Sequence, residues 1–172
     1  MKDLNNQKGL NSIWIDSLAR NIRPDSSALV DHLKTVHQEN AGFTELCASS
    51  CRDEIGRNSY EWLAEIVPNN ESLSVLDLAC GSGPLLKILF DRNKDLNLKG
   101  VDMCPEELAL AKTLLIDSGV NLIESKAQNL TAINDNSIDI VLCHWALTLM
   151  DPIAPVLDEV KRVLTSEGQF AA

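Results

Sequence analysis

The stretch Val75-Leu76-Asp77-Leu78-Ala79-Cys80-Gly81-Ser82-Gly83-Pro84 runs from an apolar, strand-like segment into a glycine loop and then a proline. Pro84 opens a helix containing Leu85, Leu86, Ile88 and Leu89, since proline at the first helical position forfeits no intrahelical hydrogen bond. Strand, glycine turn and helix in that order begin a β-α-β unit, and open α/β sheets bind ligands outside the carboxyl ends of their strands. Gly81 and Gly83 permit backbone torsions closed to other residues and let a ligand approach the main chain without meeting a Cβ.

Downstream, short apolar runs alternate with helical ones, the pattern of a parallel sheet. Strands are predicted at Ser74–Ala79, Leu96–Val101, Asn121–Glu124, Ile138–Cys143 and, from Gly168, a fifth. Pro105 opens a helix with Glu106 and Glu107 in its first turn, where the helix dipole favours acids. That helix repeats Leu108, Ala111, Leu114 and Leu115, with Gly119 just beyond its end. Asp151 is placed to cap the next helix, whose buried stripe is Val156, Val160, Val163 and Leu164. The fold class expected is α/β, a doubly wound, mostly parallel sheet.

Upstream, residues 11–67 read as all-helical: Ile13 to Ile22, Ser27 to Glu39 with Ser26 as cap, Gly42 to about Cys51, and Tyr60 to Val67. The expected division is a helical lid or cap over 1–70 and a ligand-binding α/β domain over 71–172. Tyr60 and Trp62, two residues apart, cannot share a helix face. Arg52, Asp53, Glu54 and Arg57 read as a solvated face, with Arg57 the one that could reach a ligand carboxylate. His32 and His37 are expected in surface or packing roles.

The 172 residues suit one hydrophobic core. A net charge of −10 without a basic cluster argues against a nucleic-acid partner, because such binding draws on phosphate neutralisation by Lys and Arg. No apolar stretch approaches membrane-span length and the first residues lack a signal-type apolar core, so a cytoplasmic location is expected. Cys47, Cys51, Cys80, Cys104 and Cys143 are odd in number and scattered, which reads as reduced thiols and not as a disulfide framework or a metal site.

Nineteen positions after Gly83, at the predicted end of the second strand, stands Asp102, whose carboxylate can accept hydrogen bonds from both hydroxyls of a ribose. Glycine loop and acid together point to an adenosine-type ligand. A dinucleotide site wants a third glycine where this chain has Leu86, and helix N–H groups facing a pyrophosphate, one of which Pro84 removes. S-adenosylmethionine carries no phosphate and loses nothing by either change.

On these residues the chain resembles the class I S-adenosylmethionine-dependent methyltransferases, of the broad group that includes ubiquinone- and biotin-pathway methyltransferases, over roughly residues 60–172. The resemblance implies that Asp77, Ala79, Gly81 and Gly83 form the first cofactor motif and that Asp102 is the ribose acid. Met103 would then pack on adenine, with Ala127 and Gln128 at the adenine edge. Lys126 stands where relatives of this kind often carry an acid. The segment Ile138 to Leu147 would end beside the sulfonium, and His144 follows its strand. His144 is the candidate general base as well as a cofactor contact, its alternative role being to line or support the pocket. Family members continue past the fifth strand, so a C-terminally truncated member is expected.

The resemblance implies methyl transfer to a small-molecule acceptor, with no metal. The other readings are a non-catalytic cofactor-binding module and a dinucleotide-dependent oxidoreductase. The identity of the acceptor and the oligomeric state are not fixed by these residues.

Overall fold

The computed structural model describes residues 20–21 and 26–172. The expected helix Ile13 to Ile22 lies outside these, apart from Arg20 and Asn21, which form a turn. Among the described residues three helices precede the sheet: α1 (Ser26–Glu39), α2 (Phe43–Ser50) and α3 (Ser59–Ala64). α1 begins at Ser26 itself. Gly42, with φ 79°, makes the left-handed corner between α1 and α2. Asn58 starts α3 with a reciprocal capping box: its side chain accepts from the Glu61 amide, and the Glu61 carboxylate accepts from the Asn58 amide.

Five parallel strands follow: β1 (Ser74–Leu78), β2 (Asn97–Asp102), β3 (Asn121–Glu124), β4 (Ile138–Leu142) and β5 (Leu164–Ala171). They alternate with α4 (Pro84–Arg92), α5 (Pro105–Leu114) and α6 (Ile153–Val163). The sheet order is β3-β2-β1-β4-β5. The winding therefore reverses between β1 and β4, which opens a crevice at their carboxyl ends.

Alternation along the central strands sends side chains into two cores. Val75 joins Leu85, Leu86 and Leu89 of α4 and Leu108 and Ala111 of α5 on one face, with Tyr60, Leu63 and Val67 of the α3 region. Leu76 and Leu78 join Val156, Val160 and Val163 of α6 on the other. Burial on both faces makes β1 and β4 predominantly apolar, interrupted inside the strands only by Asp77 and Asp139. Gly100 of β2 admits α4 closely: a Cβ there would lie 2.6 Å from Leu86 Cδ1 and 2.9 Å from Cys80 Sγ.

β1 and β4 each end one residue early, at Leu78 and Leu142, β2 starts one residue late, at Asn97, and α3 covers Ser59–Ala64 and not Tyr60 to Val67; three further boundaries also differ from expectation. Asp102 belongs to β2, one residue beyond the predicted end. The residue capping α6 is Pro152, not Asp151, and Leu164 opens β5 instead of closing the helix. β5 thus begins four residues before Gly168, although its regular pairing, Gln169 with Ile140 through Ala171 with Leu142, follows an irregularity in the ladder.

Candidate cofactor site

The crevice holds two cavities, of about 100 and 90 Å³, that share His37, Ala79, Asp102, Ala146 and Leu149 and so make one trough. Asp102 ends β2 where both cavities meet. Its Oδ2 accepts from the Gly81 amide and its Oδ1 from the Cys104 amide, each at 2.9 Å. The two bonds fix the carboxylate against the glycine loop and leave further lone pairs for a ligand. Burial raises its pKa, while the two amide bonds oppose the rise.

The loop is built from unusual torsions. Ala79 leaves β1 with φ 61°, Gly81 follows at 52° and Gly83 at 86°. Left-handed torsion at alanine is uncommon and costs of order 1–2 kcal/mol, so the surrounding structure imposes it. A Cβ on Gly81 would meet nothing closer than Glu107 Oε2 at 3.9 Å, which leaves that stretch of backbone open to a ligand. Gly83 plays another part. Its amide donates to the Cys80 carbonyl at 3.0 Å, and a Cβ would press on Leu115 Cδ1 and Ala111 Cβ at 3.1 and 3.2 Å. It closes the turn and admits α5; it lines neither cavity.

Met103, Ala127 and Gln128 line the first cavity with Ser125, while Lys126 lines neither. The loop carrying Ala127 and Gln128 is tied to α6 by Arg162, whose guanidinium donates to the Leu130 carbonyl at 2.9 Å and the Ile133 carbonyl at 3.0 Å.

Asp77, Gly81 and His144 line the second cavity with Glu45, Tyr60 and Ser82. Asp77 is 1% exposed and its Oδ1 has no hydrogen-bond partner. Burial, with Asp102 nearby, pushes its pKa up to about 8. Asp102, not Asp77, braces the glycine loop.

His144 is buried beneath an aromatic stack, its ring centroid 3.9 Å from that of Tyr60 and 4.8 Å from that of Trp145. Its Nε2 sits 2.8 Å from Ser59 Oγ, Nδ1 is buried without a partner, and burial lowers its pKa to about 4. Trp145, with φ 54°, is a second non-glycine residue held in the left-handed region beside the trough.

Tyr60 is buried and Trp62 is 58% exposed, as two residues on opposite faces must be. Arg57 is bound to Asp53 and Glu65 on the solvated face and lines neither cavity.

Sequence reasoning missed the N-terminal contributors. His37, expected in a surface or packing role, lines both cavities and bonds Glu107; Glu45 Oε2 accepts from Ser82 Oγ of the glycine loop at 2.7 Å. These contacts join residues 37 to 70 positions apart, and no local pattern signals them. Among the described residues no group of His, Cys, Asp and Glu could hold a metal ion, and no helix is long and apolar enough to cross a membrane.

The residues fit S-adenosylmethionine. The first cavity offers the Asp102 carboxylate and the polarisable Met103, chemistry suited to a ribose and a flat ring, and the second offers open backbone at Gly81 with the carboxyl groups of Asp77 and Glu45, chemistry suited to a cationic group. Neither cavity's described lining includes Lys or Arg.

Comparison with known proteins agrees. The chain is 28% identical over 127 residues to malonyl-[acyl-carrier protein] O-methyltransferase of Pectobacterium atrosepticum, covering 72% of this chain and 48% of that protein. It is 31% identical over 124 residues to the mitochondrial 2-methoxy-6-polyprenyl-1,4-benzoquinol methylase of Schizosaccharomyces pombe, covering 64% and 41%. It thus spans about half the length, or less, of these curated relatives. The crystal structure of a putative S-adenosyl-L-methionine-dependent methyltransferase from Methanococcus maripaludis superposes with a TM-score of 0.65 at 17% identity, over 80% of this chain and 61% of that one, a likeness of fold. The methyltransferase domain family matches residues 76–172, more than half of the chain and all five strands except Ser74 and Val75 of β1. By that match the chain belongs to the methyltransferase domain family, with S-adenosylmethionine as its cofactor.

Proposed function

We propose that this protein transfers the methyl group of S-adenosylmethionine to a small-molecule acceptor. The observation that carries the reading is the Asp102 carboxylate, pinned by the Gly81 and Cys104 amides where the two cavities join. A carboxylate held between a cavity lined by Met103, Ala127 and Gln128 and one lined by Asp77 and Glu45 supports the reading of Asp102 as the ribose acid. The acidic chain and the absence of Lys and Arg from the described lining support a small acceptor over a nucleic acid. The names of the two curated relatives, one an O-methyltransferase of an acyl-carrier-bound malonyl group and the other a methylase of a quinol, support carboxylates and phenols as the first acceptor classes to test.

The cofactor, when bound, supplies a carbon electrophile whose carbon–sulfur bond breaks as the acceptor's lone pair attacks. The chain's residues bind, align and exclude water, and alignment of oriented reactants is worth on the order of 7–11 kcal/mol of barrier. We assign Asp77, Ala79, Gly81, Asp102, Met103, Ala127 and Gln128 to cofactor binding, and α1, α2 and α3 to a lid. His144, with its lowered pKa and Nε2 at Ser59, is a weak base better suited to holding the trough wall than to taking a proton. An ionised carboxylate acceptor would need no base.

The test is transfer of isotopically labelled methyl from S-adenosylmethionine to a panel of carboxylates, phenols and amines. Label in one acceptor class, lost in Asp102→Ala, is expected. Cofactor binding with no transfer to any class would favour the non-catalytic module.

A further inference from the structure

Glu107 stands in the first turn of α5, five residues after Asp102, and is 2% exposed. A carboxylate buried so deeply needs hydrogen-bond donors, and those found among the described residues all come from the N-terminal helices. His37 Nδ1, at the end of α1, lies 2.8 Å from Oε1. A carboxylate only accepts, so the imidazole donates from Nδ1. The Gly42 amide, at the left-handed corner between α1 and α2, reaches Oε1 at 3.1 Å and Oε2 at 3.2 Å. The same α1 puts Val30, Leu33 and His37 into the lining of the first cavity, and α2 is tied to the glycine loop through Glu45 and Ser82.

We propose that Glu107 is a positioning residue for the cofactor: by gripping His37 and Gly42 it holds α1 and α2 over the trough, so that the cofactor leaves only when this grip opens. The inference rests on the reading of the trough as the S-adenosylmethionine site. Glu107 touches neither reacting atom nor acceptor in this role; it acts through the helices it holds.

The grip is charge-sensitive. His37 faces Glu107 from α5 and Asp102 from β2, and shares the second cavity with Asp77 of β1, Glu45 of α2 and Tyr60 of α3. The hydrogen bond to Glu107 raises the His37 pKa above its ordinary 6.5, against an opposing effect of burial. A raised pKa means the charged grip is fully present below pH 6.5 and lost as pH rises through the higher folded value. The neutral imidazole still donates one bond, without charge assistance.

The test measures the S-adenosylmethionine dissociation rate by stopped flow, and Gly42 amide-exchange protection in cofactor-free protein, for the parent, Glu107→Ala, Glu107→Gln and His37→Gln. Dissociation about tenfold faster in Glu107→Ala is expected, with lower Gly42 protection and a smaller effect in Glu107→Gln. In His37→Gln, the part of the pH dependence due to His37 should vanish. Glu107→Gln keeps an acceptor oxygen and the side-chain volume, so it stays informative if the alanine variant fails to fold. Unchanged dissociation in a folded Glu107 variant, with or without faster Gly42 exchange, overturns the inference while the cofactor reading stands. A parent protein that does not bind S-adenosylmethionine overturns both.

Discussion

Asp77 is a carboxyl group buried without full hydrogen bonding, which is unfavourable for its charged form. Its Oδ1 has no partner, and burial with Asp102 close by holds its pKa near 8. The folded pKa is raised, so the stability tied to this group is present below pH 3.8 and is lost as pH rises toward 8. Asp77→Asn should therefore stabilise the cofactor-free protein near pH 8, by on the order of 2 kcal/mol, and flatten that slope in urea titrations. A cationic ligand reverses the sign by favouring the carboxylate. Near pH 7, binding of S-adenosylmethionine should release a proton from Asp77, read as a difference in calorimetric heat between buffers of unlike ionisation enthalpy; Asp77→Asn should abolish it. His144 gives a contrasting prediction. As a wall residue it should cost less than about a hundredfold in kcat when changed to Gln, with no limb of the pH–rate profile assigned to it, because general bases typically contribute 10²–10⁴-fold.

At the scale of elements, fit between neighbours sets the tolerance to change. Gly100→Ala would drive a Cβ to 2.6 Å from Leu86 and 2.9 Å from Leu122, so a loss of roughly 1–3 kcal/mol is expected in thermal melts. Asn58→Ala removes one half of the α3 capping box and should cost about 1 kcal/mol. The sheet elements were legible in the sequence because their signals are local: proline at the start of α4 and α5, and apolar runs in β1 and β4. Asp102 was legible because strand ends and glycine loops keep a near-constant separation in β-α-β units. The reading went astray at the α6–β5 junction, where Leu164 continues the apolar stripe of the helix yet already has extended torsions, φ −67° and ψ 141°. Periodicity does not reveal a helix that turns into a strand without a loop. His37, Glu45 and Glu107 were not legible as a group, since their contacts exist only once α1 and α2 have docked.

For the whole molecule, the fold brings two sets of residues to one crevice. The sheet supplies fixed parts: a glycine cradle, a pinned carboxylate and two apolar cores beneath them. Of the N-terminal helices, α3 packs into the core, while α1 and α2 are also held by polar contacts, Glu107 to His37 and Gly42 and Glu45 to Ser82, which break at lower cost than a packed core. Cofactor binding should therefore slow amide exchange in α1 and α2 more than in β1 and β4, whose buried residues should exchange only through global unfolding. The measurement that tests the central claim most directly is calorimetric titration of S-adenosylmethionine into the parent protein and into Asp102→Ala. Saturable one-to-one binding by the parent, weakened at least tenfold in the folded variant, is the predicted result. Absence of binding by a folded parent, or equal affinity in the two proteins, would contradict it.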